Sequence, residues 1–221
     1  MAGSESMSVK VQQAKFIAVN AWLSLCVFKS CHTIYNYVGK IHRREDVQVP
    51  HASKWLYGFV LSQAANEIDS IILKKDITDH IHHIMTGIGL FIDARYGSER
   101  TKAYAVMGLF SEGVAFFYQW YYLLRAKGLH FTRQGRLVAL YIGLFTVFMR
   151  LPLSLYCGGA GAADLFWKLR SSSKEREENK VLQQVQPSIL VPALGGIVAI
   201  IWLDVEWMRR LIVPRVFGKR V

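Results

Sequence analysis

Residues 76–94 read DITDHIHHIMTGIGLFIDA, and the placing of their polar positions decides the fold. At about 1.5 Å of rise per residue, a helix of this length just crosses the roughly 30 Å hydrocarbon core of a bilayer. At about 100° per residue the same helix gathers Asp79, His82, His83, Thr86 and Asp93 into one arc of about 100°. Ile81, Ile84, Met85, Ile88, Phe91 and Ile92 fill the opposite sector, and His80 lies between the two. An ionisable group within a membrane span costs about 2.5–3.5 kcal/mol on insertion scales, so the polar face must turn toward protein or a water-lined cavity. Such a helix requires partners.

Five other apolar blocks can supply them. With the histidine segment at 80–92, they run over about 16–38, 55–73, 104–124, 137–157 and 189–207. The chain is 52% hydrophobic and 13% aromatic, more apolar than a soluble domain usually is. The expected fold is all-α, a polytopic membrane bundle of about six transmembrane helices. It divides into a polar segment at 1–14, a membrane domain at 15–207 and a basic tail at 208–221. Within the domain, about 164–188 forms a charged connecting loop containing RSSSKEREENK, expected in water or at the membrane surface.

The net charge of +11 raises nucleic acid as a partner, but Lys and Arg are spread through every connection and no basic soluble domain stands apart. Anchoring at anionic headgroups is the better account. With six crossings, thirteen Lys and Arg fall on the side of both termini and twelve on the other, so charge asymmetry sets no orientation. Cys26, Cys31 and Cys157 lack metal-ligand spacing and read as small hydrophobes. MAGSESMSVKVQQAK shows no signal-peptide core, so the first membrane helix is expected to act as its own targeting signal. GKRV lacks paired retrieval lysines.

The second block repeats the pattern of the third. Ser62, Gln63, Asn66, Glu67, Asp69 and Ser70 share one arc, opposite Leu61, Ala64, Ala65, Ile68, Ile71 and Ile72. The two polar stripes are expected to share a cavity, joined by Lys29, His32 and Asn36 of the first helix, Glu112 and Gln119 of the fourth and Arg150 of the fifth. Glu112 and Arg150 are expected to pair, since either alone would be an uncompensated buried charge. Three accounts of the stripe stand open: hydrogen bonds that specify packing, acid–base or nucleophilic chemistry at His82 and His83 oriented by Asp79, and a metal or haem site. No strong metal signature is present, so no metal is assigned.

These residues resemble a known family. DHIHHIMTGIGLF (79–91) is similar to the paired-histidine segment of TLC domains, the family named after a translocon-associated protein, the longevity-assurance ceramide synthases and a neuronal ceroid lipofuscinosis protein. FSEGVAFFYQWYYLLRAKG (110–128), LFTVFMRLPLSLY (144–156) and FKSCHTIYNY (28–37) resemble three further segments, and the likeness spans roughly 15–207. The resemblance implies a bundle of about six membrane helices around a lipid-accessible cavity. In ceramide synthases the histidines matching His82 and His83 belong to the acyl-transfer site. Those enzymes also carry an aspartate-containing motif where this chain has GLFSEGVAFF, which retains only Glu112, so the pattern looks closer to the short TLC proteins linked to membrane lipid composition.

The expected function is lipid binding or lipid regulation, with His82, His83 and Asp79 catalytic if the chain is an enzyme. Thr86, Asp93, Asn66, Asp69, Glu112, Gln119, Arg150 and His32 are expected to line the cavity. Alternatives are a non-catalytic accessory subunit of a larger membrane complex, such as an energy-converting one, and an N-acyltransferase using an acyl thioester. A cargo receptor or translocation accessory ranks below these. Membrane lipids are the expected partners, with other membrane subunits as an option and nucleic acid excluded. No cofactor is expected beyond a bound acyl lipid or phospholipid. The endoplasmic reticulum is the first expectation for location, and the mitochondrial inner membrane the alternative.

Overall fold

A computed structural model of the chain describes residues 7–72 and 77–217. All regular structure among these residues is helical. The first helix, α1 (Met7–His42), starts well before the expected block at 16–38 and takes in the described part of the expected polar segment; it is followed by α2 (Ala52–Ile72) and α3 (Ile77–Tyr96), whose bounds sit within a few residues of the 55–73 block and the 76–94 stretch. Next, α4 (Glu99–Gly108), a 3₁₀ segment (Leu109–Val114) and α5 (Ala115–Ala126) run on without interruption, and the expected fourth block is thereby extended at its start.

The next helix is longer than expected. α6 (Arg133–Phe145), a π turn (Thr146–Arg150) and α7 (Leu151–Arg170) form one helical stretch. The expected connecting loop at 164–188 is therefore corrected. Residues 164–170 are helix because Asp164 is buried against an arginine and the chain is not released to water there. Two short helices, α8 (Ser173–Glu178) and α9 (Lys180–Gln184), occupy most of the remainder, and Ser172 caps α8 through a reciprocal bond with Glu175. α10 (Pro187–Trp207), a second π turn (Met208–Ile212) and α11 (Val213–Phe217) complete the described chain.

Two of these helices are long and apolar enough to cross a membrane, Arg133–Arg170 and Pro187–Arg210, with mean hydropathies of 1.8 and 2.1 over their most apolar windows. Only 33% and 17% of those windows are buried, whereas the core helix of a soluble protein would be mostly covered. On other helices Phe28, Tyr35, Leu61 and Ile71 also point outward.

Contacts between helix ends show α2 antiparallel to α3, and α4 antiparallel to α1 and α7. At one end Ser53 donates to the Ala94 carbonyl at 3.0 Å, and Arg100 donates to the carbonyls of Ile41 at 2.9 Å and Glu45 at 3.1 Å. Arg100 also pairs with Asp164 (Nε to Oδ2 2.5 Å), so one guanidinium ties the ends of α1, α4 and α7 together. Tyr104 donates to the same carboxylate. The α3–α4 reversal is tight: a Cβ at Gly97 would lie 2.4 Å from the Asp93 carbonyl oxygen, so only glycine fits. α3 packs on α2 and α10, and α1 packs on the α4–α5 stretch. Trp22 stacks on Trp55 with ring centroids 5.9 Å apart, a contact that the missing side chain of Gly58 leaves room for.

Candidate functional site

The polar faces of α2 and α3 meet, as their periodicity requires. His80 Nδ1 lies 2.6 Å from Glu67 Oε1, and His83 Nδ1 lies 3.5 Å from Glu67 Oε2. The carboxylate beside His83 is thus Glu67, from the neighbouring helix. Asp79, the expected orienter, and Asp69 lie on α3 and α2, but their side chains are outside the described residues. In the opposite sector Ile81, Ile84, Met85, Ile88 and Phe91 are exposed, and Ile92 is half-buried.

His82 turns further into the bundle. Its Nε2 is 3.7 Å from Glu112 Oε2, its Nδ1 is 3.5 Å from Thr86 Oγ1, and its ring meets Trp207 edge-on at 5.3 Å. Glu112 lies 3.5 Å from Arg150 Nη1, so the expected pair forms. Arg150 also donates from Nε to Asp204 Oδ2 at 2.8 Å and from Nη1 to the Ser111 carbonyl at 3.4 Å. An ionic chain of His82, Glu112, Arg150 and Asp204 therefore joins α3, the 3₁₀ segment, the first π turn and α10. All four are buried. Two buried acids thus share one guanidinium.

Local helix geometry supports this chain. Glu112 sits in the 3₁₀ segment and Arg150 ends a π turn, and departures of this kind re-aim side chains that a regular α-helix would place elsewhere. Gly113 lets Val27 and Phe145 approach to 3.0 and 3.2 Å of where its Cβ would stand.

A cavity of about 420 Å³ opens beside the chain. His82, His83, Glu112, Arg150, Asn66, Gln63 and Gln119 form its polar part, and Trp22, Phe59, Tyr118, Tyr122 and Trp207 its aromatic walls. Three buried polar atoms on these walls have no hydrogen-bond partner: Trp22 Nε1, Gln63 Oε1 and Arg150 Nη2. Buried groups of this kind are costly unless a ligand or water satisfies them.

A second cavity of about 270 Å³ lies between α3, α4, α7 and α10, with Thr86 and Asp93 in its wall. The single expected cavity is thus two, with Glu112 reaching both. His32 is exposed on α1 and is not among the residues lining either cavity. Lys29 and Asn36 line neither cavity.

Sequence reasoning missed Asp204, the aromatic walls and the Glu67 contact to His83. Asp204 was within reach, since it is a lone acid inside an apolar block. Among the described residues no cluster of His, Cys, Asp and Glu has the geometry to hold a metal ion. No family model matches the chain, and neither a curated protein nor a solved structure does so.

Proposed function

We propose that this chain is an integral membrane protein of six crossings that holds an acyl lipid in the 420 Å³ cavity, with the oxygen-bearing head at Arg150 and the chain along the aromatic wall. One observation carries the reading: Arg150 is 1% exposed, lines the cavity and keeps a free Nη2 donor. A carbonyl, carboxylate or phosphate oxygen satisfies that donor, and Trp22 Nε1 offers another. Aromatic and apolar walls with a few convergent polar groups are the usual make-up of a ligand pocket. The TLC-like order of motifs in the sequence agrees with this role. The endoplasmic reticulum is the proposed location, with the mitochondrial inner membrane as alternative.

Native mass spectrometry of protein extracted in mild detergent tests the reading. A retained acyl lipid is expected, with occupancy reduced in Gln63→Phe, which fills the cavity. Protein that is lipid-free by mass spectrometry and by extraction rules the proposal out.

The His83–Glu67 contact supports an enzymatic version of the same site. His83 would take a proton from an amine as its nitrogen attacks an acyl thioester, forming the amide and releasing the thiol. Activity lost in His83→Ala with lipid still bound would support catalysis; a lipid-loaded protein inactive on any acyl thioester supports a non-catalytic lipid-binding role. The accessory-subunit alternative would show as migration in a large assembly after gentle extraction.

A further inference from the structure

The second cavity has no cation in its wall. No Lys, Arg or His is among the described residues lining it, so nothing there answers a phosphate or a carboxylate. Its buried polar side chains are nearly all engaged. Thr86 pairs with His82, Thr101 with Ser98 and Tyr104 with Asp164, Ser111 donates to the Gly108 carbonyl, and Glu112 faces Arg150 and His82. Asp93 is the exception. It is only 9% exposed, and its carboxyl has no hydrogen-bond or ion-pair partner among the described residues. Arg100, the nearest candidate by sequence, is already committed to Asp164 and two carbonyls. A buried carboxyl without a partner is costly, so the site is completed by a ligand that brings one polar group. A hydroxyl fits that demand, because it donates to a carboxylate and accepts from a carboxylic acid.

The shape is set by glycine. Gly89 of α3, Gly108 of α4 and Gly196 of α10 all line the cavity, and a Cβ at any of them would meet nothing within 4 Å. Three helices thus present flat faces where side chains would otherwise intrude, and the rest of the wall is aliphatic, as at Leu190 and Ile197. Along α10 the lining runs from Ile189 to Ile200, a rise of about 16 Å. Asp93 stands at the end beside the α3–α4 reversal, so the polar demand is confined to one end of a long apolar slot. Flat faces favour a rigid plate over a flexible chain, which would forfeit more freedom on being ordered. We propose that this cavity binds a sterol, its hydroxyl on Asp93 and its fused rings against the glycines of α3 and α10. The inference stands on this cavity alone and rests neither on the occupant proposed for the histidine cavity nor on the number of crossings.

Binding of tritiated cholesterol, delivered from cyclodextrin to the full chain in mild detergent, tests this, with unlabelled cholesterol, its epimer at the hydroxyl-bearing carbon and oleyl alcohol as competitors. The epimer has the same body but aims its hydroxyl elsewhere, and is expected to bind about tenfold more weakly, the worth of one hydrogen bond to a buried carboxyl. Oleyl alcohol, which has the hydroxyl without the rings, should also be weaker by about tenfold or more. Asp93→Leu is expected to bring the two epimers within about twofold of each other, and Gly89→Leu, which fills open space without a clash, to lose about tenfold in cholesterol affinity. His83→Ala should stay within about twofold of the parent. Absence of saturable sterol binding overturns the proposal, as does equal binding of the epimers, oleyl alcohol as tight as cholesterol, or unchanged affinity in Gly89→Leu. A loss in His83→Ala matching that in Gly89→Leu also overturns it, since the sterol would then sit in the other cavity. If Asp93→Leu fails to fold, Gly89→Leu and the ligand series decide.

Discussion

Arg150 donates from Nε to Asp204 Oδ2 at 2.8 Å across 54 residues of sequence, and both side chains are almost wholly buried. Removing one member of such a pair strands the other. Arg150→Met, which leaves both Glu112 and Asp204 without their cation, is expected to lower stability by about 3–5 kcal/mol. Asp204→Asn keeps a hydrogen-bonding partner and should cost about 1–3 kcal/mol. Thermal unfolding in one detergent measures both, and a larger loss in Asp204→Asn would contradict the arrangement.

Arg100 makes a different demand, because it serves two carbonyls and a carboxylate at once. A lysine has charge but no planar fork. Arg100→Lys should therefore destabilise the protein by about 2–4 kcal/mol and speed protease cleavage within residues 43–51, the connection that Arg100 pins. Cleavage at the parent rate would show that the connection is held by other contacts.

At Gly58 a methyl group would sit 2.8 Å from the Trp22 ring, closer than real Cβ contacts come. Gly58→Ala would gain helix propensity on an exposed surface, but here the indole must shift off Trp55. The net expectation is a loss of about 1–3 kcal/mol together with altered near-UV circular dichroism. A stabilised variant with an unchanged spectrum would refute the packing.

Glu67 faces both His80 and His83, and Glu67→Gln keeps the shape while removing the charge. In that variant both imidazoles keep only a neutral partner, so thermal unfolding is expected to show a loss of about 0.5–1.5 kcal/mol from the α2–α3 contact. Unchanged stability would show that the two rings do not rely on the Glu67 charge.

Much of this arrangement is legible in the sequence, for reasons that differ by residue. The inward placing of His82 and Thr86 follows from a period near 3.6, which a straight helix such as α3 preserves over its length. Glu112 and Arg150 are findable by charge alone, because an apolar segment tolerates an ion only with a partner. The same reasoning reaches Asp204 once it is counted as inside its block. Arg100 and Asp164 escape it: they lie 64 residues apart, and Asp164 precedes a hydrophilic run that invites a loop assignment. The division into two cavities is also hidden, since it depends on how far α10 stands from α3 and on three glycines that leave space unfilled. His32 lies outside both cavities, since α1 is 36 residues long and its polar positions do not fall on a single face.

The π turn at Thr146–Arg150 carries a consequence for inherited variation. A π turn holds about one residue more than the α-helix would over the same rise, so losing a single amino acid among 146–149 would let the helix close up into regular geometry. The backbone would tolerate that change. Arg150 closes that turn, so it would lose the displacement that aims it between Glu112 and Asp204. A three-nucleotide deletion there leaves the reading frame and the helix whole yet disturbs the one guanidinium that two buried acids share.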